Sequence, residues 1–221
     1  MAAMYAVYHG PQGLRDIAGK VHGYAGILKN AVKGLGYDVI NSNAYFDTLS
    51  IKVKDTEKLH DAASRVGINL RRIDGTTAGV TLDESVTPTD LLEIINVFAA
   101  TSDAIPLTKD SLSVPTDSGI PESLRRGSAI LRHPVFNTHH SETEMLRYIH
   151  HLQSKDLSLV HAMISLGSCT MKLNSTSSMI PVTMTEYGNV HPFAPLEQVK
   201  GYSTILKVAS PSVQWGLANY D

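Results

Sequence analysis

The sequence predicts a mixed α/β chain that opens with an α+β small domain, and local patterns in the chain carry that prediction. An apolar stripe at helical spacing runs from Leu14 to Leu35, the period shortens to two around Leu49 to Val53, and Asp74-Gly75 separates two short strand-like runs. Helices interleaved with an antiparallel sheet over about the first hundred residues give a layered α+β architecture.

After Pro11, the residues Leu14, Ile17, Val21, Ala25, Leu28, Val32 and Leu35 recur by threes and fours along one helical face, and Gly36 supplies the stop. Gly19, Gly23, Gly26 and Gly34 each weaken that helix by about 1 kcal/mol relative to alanine, so packing must hold it. Tyr37 to Ile40 predicts a short strand, and Leu49, Ile51 and Val53 alternate with Thr48, Ser50 and Lys52 as in a half-buried one. Asp55 is a suitable N-cap for a helix to Val66 that aligns Leu59, Ala62, Ala63 and Val66, with Gly67 ending it. Ile68 to Ile73 and Thr77 to Leu82 predict a hairpin turning at Asp74-Gly75. Pro88 opens a third helix to Ala100.

Residues 101–128 carry Pro106, Pro115 and Pro121 among many Ser and Thr without sustained periodicity, the character of a linker. Ser141-Glu-Thr-Glu144 fits a capping box for a helix to about residue 154 with Met145, Tyr148, Ile149 and Leu152 on one face. From 161 to 200 the chain is rich in Gly, Ser, Thr, Met and Pro without a clear period, predicting loops laid against a larger body.

Composition narrows the function classes. Hydrophobic residues make up 43% and charged residues 18% of 221, which excludes wholesale disorder. A formal net charge of -2 from 19 basic and 21 acidic residues gives no footprint for nucleic acid or an anionic membrane. The most apolar stretch, Leu91 to Ala100, is too short to span a bilayer and contains Glu93 and Asn96, so a soluble chain is expected. The single cysteine, Cys169, excludes an internal disulfide and fits a reducing compartment. The uncapped apolar opening Met1 to His9 reads as the middle of a buried helix and predicts that residues precede it in a longer polypeptide.

The strongest chemical feature is Leu166-Gly-Ser-Cys-Thr-Met-Lys-Leu-Asn174, where Ser168, Cys169, Thr170, Lys172 and Asn174 place hydroxyls, a thiol, an ammonium and an amide in one small-residue turn. Backbone N–H groups and Lys172 in such a turn suit a carboxylate or phosphate, although an ordinary polar turn has the same composition. Cys169 is a candidate nucleophile with His161 or His191 as base, although a lone cysteine more often serves as a small apolar side chain. His139, His140, Glu144, His150 and His151 are the densest group of metal-ligand types. No metal is assigned, because the capping box explains Glu144 and the second histidine pair lies over a turn away. Arg71, Arg72, Arg125 and Arg126 read as solvated surface, and Arg147 as a helical ion-pair partner.

That loop, preceded by Phe136-Asn-Thr-His-His-Ser-Glu-Thr-Glu144 and Asp156-Leu-Ser-Leu-Val-His161, resembles the glycine cleavage system P proteins, the decarboxylating glycine dehydrogenases. The resemblance begins at Met1-Ala-Ala-Met-Tyr-Ala-Val-Tyr-His-Gly10 and runs through Asn189-Val-His-Pro-Phe193 to Tyr202. It implies an incomplete part of a fold-type-I, aminotransferase-like enzyme built from two related halves. Residues 1–100 would be the small domain closing the first half, 101–140 the connection, 141–202 the start of the second half, and 203–221 a divergent tail.

The family's chemistry is the decarboxylation of glycine on pyridoxal 5'-phosphate, followed by transfer of the aminomethyl group to the lipoyl arm of the H protein. The resemblance implies the lipoylated H protein and the other glycine cleavage proteins as partners, a homodimer for the full-length enzyme, and a mitochondrial matrix location in a eukaryote or the cytoplasm otherwise. It places the loop residues Ser168, Cys169, Thr170, Lys172 and Asn174 near glycine or the lipoyl channel. In the family, the lysine that binds pyridoxal phosphate covalently lies in an Asn-Leu-His-Lys segment, which this chain lacks, so no catalytic residue is assigned here. The isolated chain is expected to be inactive as a fragment of that enzyme, and a non-catalytic short isoform binding the full-length enzyme is the alternative.

Overall fold

Helix α1 spans Ala2–Gly34 as two helical segments joined at Gly10, whose φ of 64° and ψ of -177° leave the helical region. Pro11 follows; its ring cannot donate a backbone hydrogen bond, so the second segment starts afresh there. Val21, Ala25, Leu28 and Val32 are buried along its inner face, as their spacing predicts. The helix ends in a Schellman motif: Gly36 takes a φ of 88°, its N–H donates to the Lys33 carbonyl, and Tyr37 N–H donates to the Val32 carbonyl. Upstream of the kink only Val7 and Gly10 are buried while Tyr5 and Tyr8 stay exposed, so the apolar opening is not a helix buried all round. This computed structural model describes residues 1–102, 104–112, 119–158, 161 and 175–208, and the chain divides into two units, Met1–Leu157 and Ser158–Asp221.

Strands β1 (Asp38–Val39), β2 (Thr48–Lys52), β3 (Arg71–Asp74) and β4 (Thr77–Thr81) form an antiparallel sheet in the order β1-β2-β4-β3. Leu49 pairs with Val80 and Ile51 with Ala78, which puts four buried side chains on one face of the sheet. Helix α2 (Thr56–Arg65) adds Leu59 and Ala63, and helix α3 (Pro88–Thr101) adds Leu91, Ile95 and Phe98; with Leu28 and Val32 of α1 they make one core. The opposite sheet face carries Thr48, Ser50 and Thr81, with the Thr48 and Thr81 hydroxyls 3.0 Å apart. The first unit is therefore a helical layer on one face of a small antiparallel sheet, the α+β arrangement expected.

Local chemistry explains the boundaries. Asp55 accepts from Glu57 N–H at the start of α2, and Gly67 ends that helix with a φ of 75°. Thr87 and Asp90 close a reciprocal capping box on α3, with Pro88 at its first turn. The β3–β4 turn lies at Gly75-Thr76, one residue later than the sequence suggests. Asp74 is drawn into β3 because its carboxylate accepts from Thr76 N–H at 2.7 Å and from the Thr76 hydroxyl at 3.1 Å, an Asx turn that displaces the hairpin's centre. β3 also begins later than predicted, at Arg71, while Ile68 and Leu70 pack against the core.

Aperiodic segments beyond α3 are fastened by single polar contacts. Asn96 accepts from Leu107 N–H at 2.7 Å and donates to the Leu107 carbonyl at 3.3 Å, which seats Leu107 and Leu112 on the core. Tyr45 N–H donates to the Gly119 carbonyl at 3.2 Å, and Gly119, at a φ of 57°, lies so close that a Cβ there would sit 2.3 Å from the Tyr45 ring. Helix α4 (Glu142–Gln153) starts at Ser141, whose hydroxyl accepts from Glu144 N–H at 3.3 Å. Only this half of the expected capping box forms, because the Glu144 carboxylate turns to Arg147 instead, at 3.4 Å. Met145, Tyr148 and Leu152 are half-buried on α4, and Ile149 is exposed.

The second unit, taken by itself, is helical where its sequence predicts loops. Helices α5 (Thr176–Thr183), α6 (Thr185–Gly188) and α7 (residues 200–208) are described, with a 3-10 turn at Leu196–Gln198. Ser175 caps α5 by accepting from Ser178 N–H at 3.2 Å. Periodicity is missing because apolar residues are not gathered on a single inner face: Met179, Ile180, Val182, Phe193 and Leu196 are all exposed. Among the described residues, no helix is long and apolar enough to cross a membrane.

Candidate functional site

The turn carrying Ser168, Cys169, Thr170, Lys172 and Asn174 lies outside the described residues, so the site is built from its flanks. On the N-terminal side, the 3-10 turn Pro134–Asn137 and the two histidines after it pack against the α1 kink. His140 Nδ1–H donates to the Tyr8 carbonyl at 2.8 Å, a backbone acceptor two residues ahead of the kink. A Cβ on Gly10 would lie 2.5 Å from His140 Cε1 and 2.8 Å from the Phe136 carbonyl oxygen. This close approach fixes where the Ser141–Glu144 cap starts relative to α1.

The other candidate ligands are similarly occupied. His139 stacks on Tyr148 with ring centres 4.3 Å apart, and its Nδ1 is buried without a hydrogen-bond partner among the described residues. No group of three or more His, Cys, Asp or Glu side chains among the described residues comes close enough to hold a metal. His191 Nδ1 accepts from Phe193 N–H at 3.0 Å, which leaves the ring's other nitrogen carrying the proton. His161 is described only at a backbone turn onto the Ser158 carbonyl, and its pairing with Cys169 falls outside the described residues.

Among the arginines, Arg72 forms a two-pronged pair with Glu57, and Arg125 pairs with Glu122 at 3.0 Å. Three features carry no sequence prediction. Lys29 is 4% exposed with its Nζ 5.0 Å from the Tyr45 ring centre, a cation on an aromatic face. Tyr5 donates to Glu84, and that hydrogen bond raises the phenol above its usual value. The third is the Gly10 junction, for which the Gly-Pro pair inside an apolar run was the available signal.

A pyridoxal phosphate site needs a lysine in a cavity, an acidic partner for the ring nitrogen and a phosphate cradle. Lys29 is packed into the side of α1 against Tyr45, and the described residues do not assemble the remaining parts around it. The described residues thus do not fit the cofactor, and no step through it is derived from them.

Residues 1–98 match the family model described as Glycine cleavage system P-protein. The α+β part of the chain is thus similar to a P-protein domain. The relatives extend the likeness over most of the chain: it is 50% identical over 207 residues to "Glycine dehydrogenase (decarboxylating) 1, mitochondrial" of Arabidopsis thaliana, covering 94% of this chain and 20% of the relative. "Glycine dehydrogenase (decarboxylating)" of Xanthomonas oryzae pv. oryzae is 48% identical over 206 residues, covering 93% and 20%, and that of Aliivibrio salmonicida is 44% identical over 222 residues, covering 100% and 23%. The chain is homologous to a partial region of glycine dehydrogenase (decarboxylating) and spans about a fifth of the length of these curated relatives.

Proposed function

We propose that this chain serves as part of a glycine-decarboxylating P protein, the closing small domain of one aminotransferase-like half together with the opening of the next. The observation that carries this reading is the identity of 50% sustained across 94% of the chain. The whole enzyme would be a glycine decarboxylase to which pyridoxal phosphate, held outside the described residues, would supply an electron sink, with the lipoylated H protein as the partner that accepts the aminomethyl group. In this reading the turn with Ser168, Cys169, Thr170, Lys172 and Asn174 offers hydroxyl and ammonium donors to the glycine carboxylate or the lipoyl channel. The contacts of His140 with Tyr8 and Gly10 set the position from which α4 departs. In this reading the location is the mitochondrial matrix in a eukaryote and the cytoplasm otherwise, supported by the word mitochondrial in the names of the plant relatives.

Replacing Ser168, Thr170 and Lys172 together in the full-length enzyme is expected to lower glycine turnover with lipoylated H protein by more than about tenfold. Unchanged kinetics would reject the loop's role. The exposed Met179, Val182, Phe193 and Leu196 favour a second reading, a short non-catalytic form that associates with the full-length enzyme. Co-purification of the 221-residue chain with that enzyme from its own cells would support this reading, and its absence would reject it.

A further inference from the structure

A groove of about 610 Å³ runs along the start of the second segment of α1, lined by Pro11 and Arg15 on one side and by residues 129–132, Pro134, Asn137 and Thr138 on the other. We propose that it binds a compact, multiply charged oxyanion, phosphate- or carboxylate-bearing, between Arg15 and Arg132. Pro11 and Arg15 lie about one helical turn apart and both line the groove. Neither Arg15 nor Arg132 has a carboxylate partner among the described residues, whereas Arg72, Arg125 and Arg147 all do. The nearest acidic neighbour in sequence, Asp16, accepts instead from Gln12 Nε2 at 2.7 Å. Two arginines that have no carboxylate partner among the described residues line one concavity, which raises its local potential in a chain whose net charge is -2.

The wall is held in shape before any ligand arrives. Asn137 Nδ2 donates to the Leu131 carbonyl at 3.0 Å and to the His133 carbonyl at 3.1 Å, and the Thr138 hydroxyl donates to the Pro134 carbonyl at 2.7 Å. Leu131 is held at a φ of 49°, the single non-glycine residue with positive φ among those described. His140 ties the same segment to Tyr8, across the kink from Arg15. A fixed wall spares the ordering cost of binding, so two charge-assisted contacts suffice for a millimolar or tighter site. The inference stands apart from the glycine-decarboxylating reading, since it uses none of the loop residues.

The test titrates the 221-residue chain with inorganic phosphate and, separately, with succinate at low ionic strength, following the arginine side-chain N–H signals by NMR. Saturable shifts of Arg15 and Arg132 are expected, with Arg15→Gln and Arg132→Gln each weakening binding about tenfold and leaving the melting curve in place. Stronger binding of phosphate assigns a phosphate-bearing ligand, and stronger binding of succinate a dicarboxylate. A dissociation constant weaker than about 1 mM for both probes, an equal response to chloride, or binding undiminished in the double variant would overturn the proposal. Should a variant fail to fold, wild-type shifts at residues away from the groove would overturn it equally.

Discussion

Replacing Gly10 by alanine isolates the contact that joins α1 to the segment ahead of α4. The native φ of 64° with ψ of -177° is a region open to glycine alone, so alanine there costs about 1–3 kcal/mol of backbone strain. The added methyl would also sit 2.8 Å from the Phe136 carbonyl oxygen and 2.5 Å from the His140 ring. The backbone oxygen cannot rotate away, so the 133–140 segment must shift and the His140–Tyr8 hydrogen bond is lost, adding about 1 kcal/mol. The total is about 2–4 kcal/mol, read as a lower urea midpoint by circular dichroism. Gly19→Ala and Gly23→Ala are the internal controls: both sites are helical with nothing within 4 Å of a new Cβ, and each should stabilise by about 0.5–1 kcal/mol. The same substitution thus changes sign along one helix. A Gly10→Ala midpoint equal to that of Gly19→Ala would refute the reasoning, and His140→Ala in the same background should recover only the part due to the ring.

Further outcomes follow from the caps and turns. Asp74, Asp83 and Asp90 are held below the usual 3.8 by hydrogen bonds, foremost from the Thr76 backbone, the Ser85 hydroxyl and the Thr87 backbone. A carboxyl with a lowered folded-state value contributes stability above its unfolded value and loses it as pH falls through the folded one, so urea midpoints should drop below about pH 4 and the Asp→Asn triple variant should flatten that limb. Thr87→Ala removes one side of the α3 capping box and should cost about 1 kcal/mol in urea unfolding, whereas an unchanged midpoint would dismiss the cap's role. Asn96→Ala breaks both bonds to Leu107, and faster amide exchange over 104–112 with little change in the sheet is the expected readout.

Where local chemistry and tertiary packing agree, the sequence was a sufficient guide. Asp55, Gly67, Thr87-Pro88 and Gly36 mark the ends of α1, α2 and α3 because caps are satisfied within a few residues of the chain. The alternation of Leu49 and Ile51 with Ser50 and Lys52 likewise places β2, since burial of one face fixes its register. The hairpin turn was misplaced by one residue because Asp74 competes for Thr76 N–H, a side-chain bond that a dipeptide rule does not weigh. Contacts between distant positions left no periodic trace: Asn96 with Leu107, Gly119 against Tyr45, and His140 on Tyr8 each depend on one side chain meeting a backbone far along the chain. The candidate loop was legible as a motif through its run of small and polar residues, while its surroundings were not, because α5 to α7 expose apolar residues instead of gathering them on one face.

The proposed place of this chain within a glycine-decarboxylating P protein is tested most directly by intact mass and peptide mapping of the native protein captured through residues 141–175. A species far heavier than 24.0 kDa that yields a pyridoxyl-lysine peptide after borohydride reduction is expected. A native species of 24.0 kDa without that adduct would contradict it.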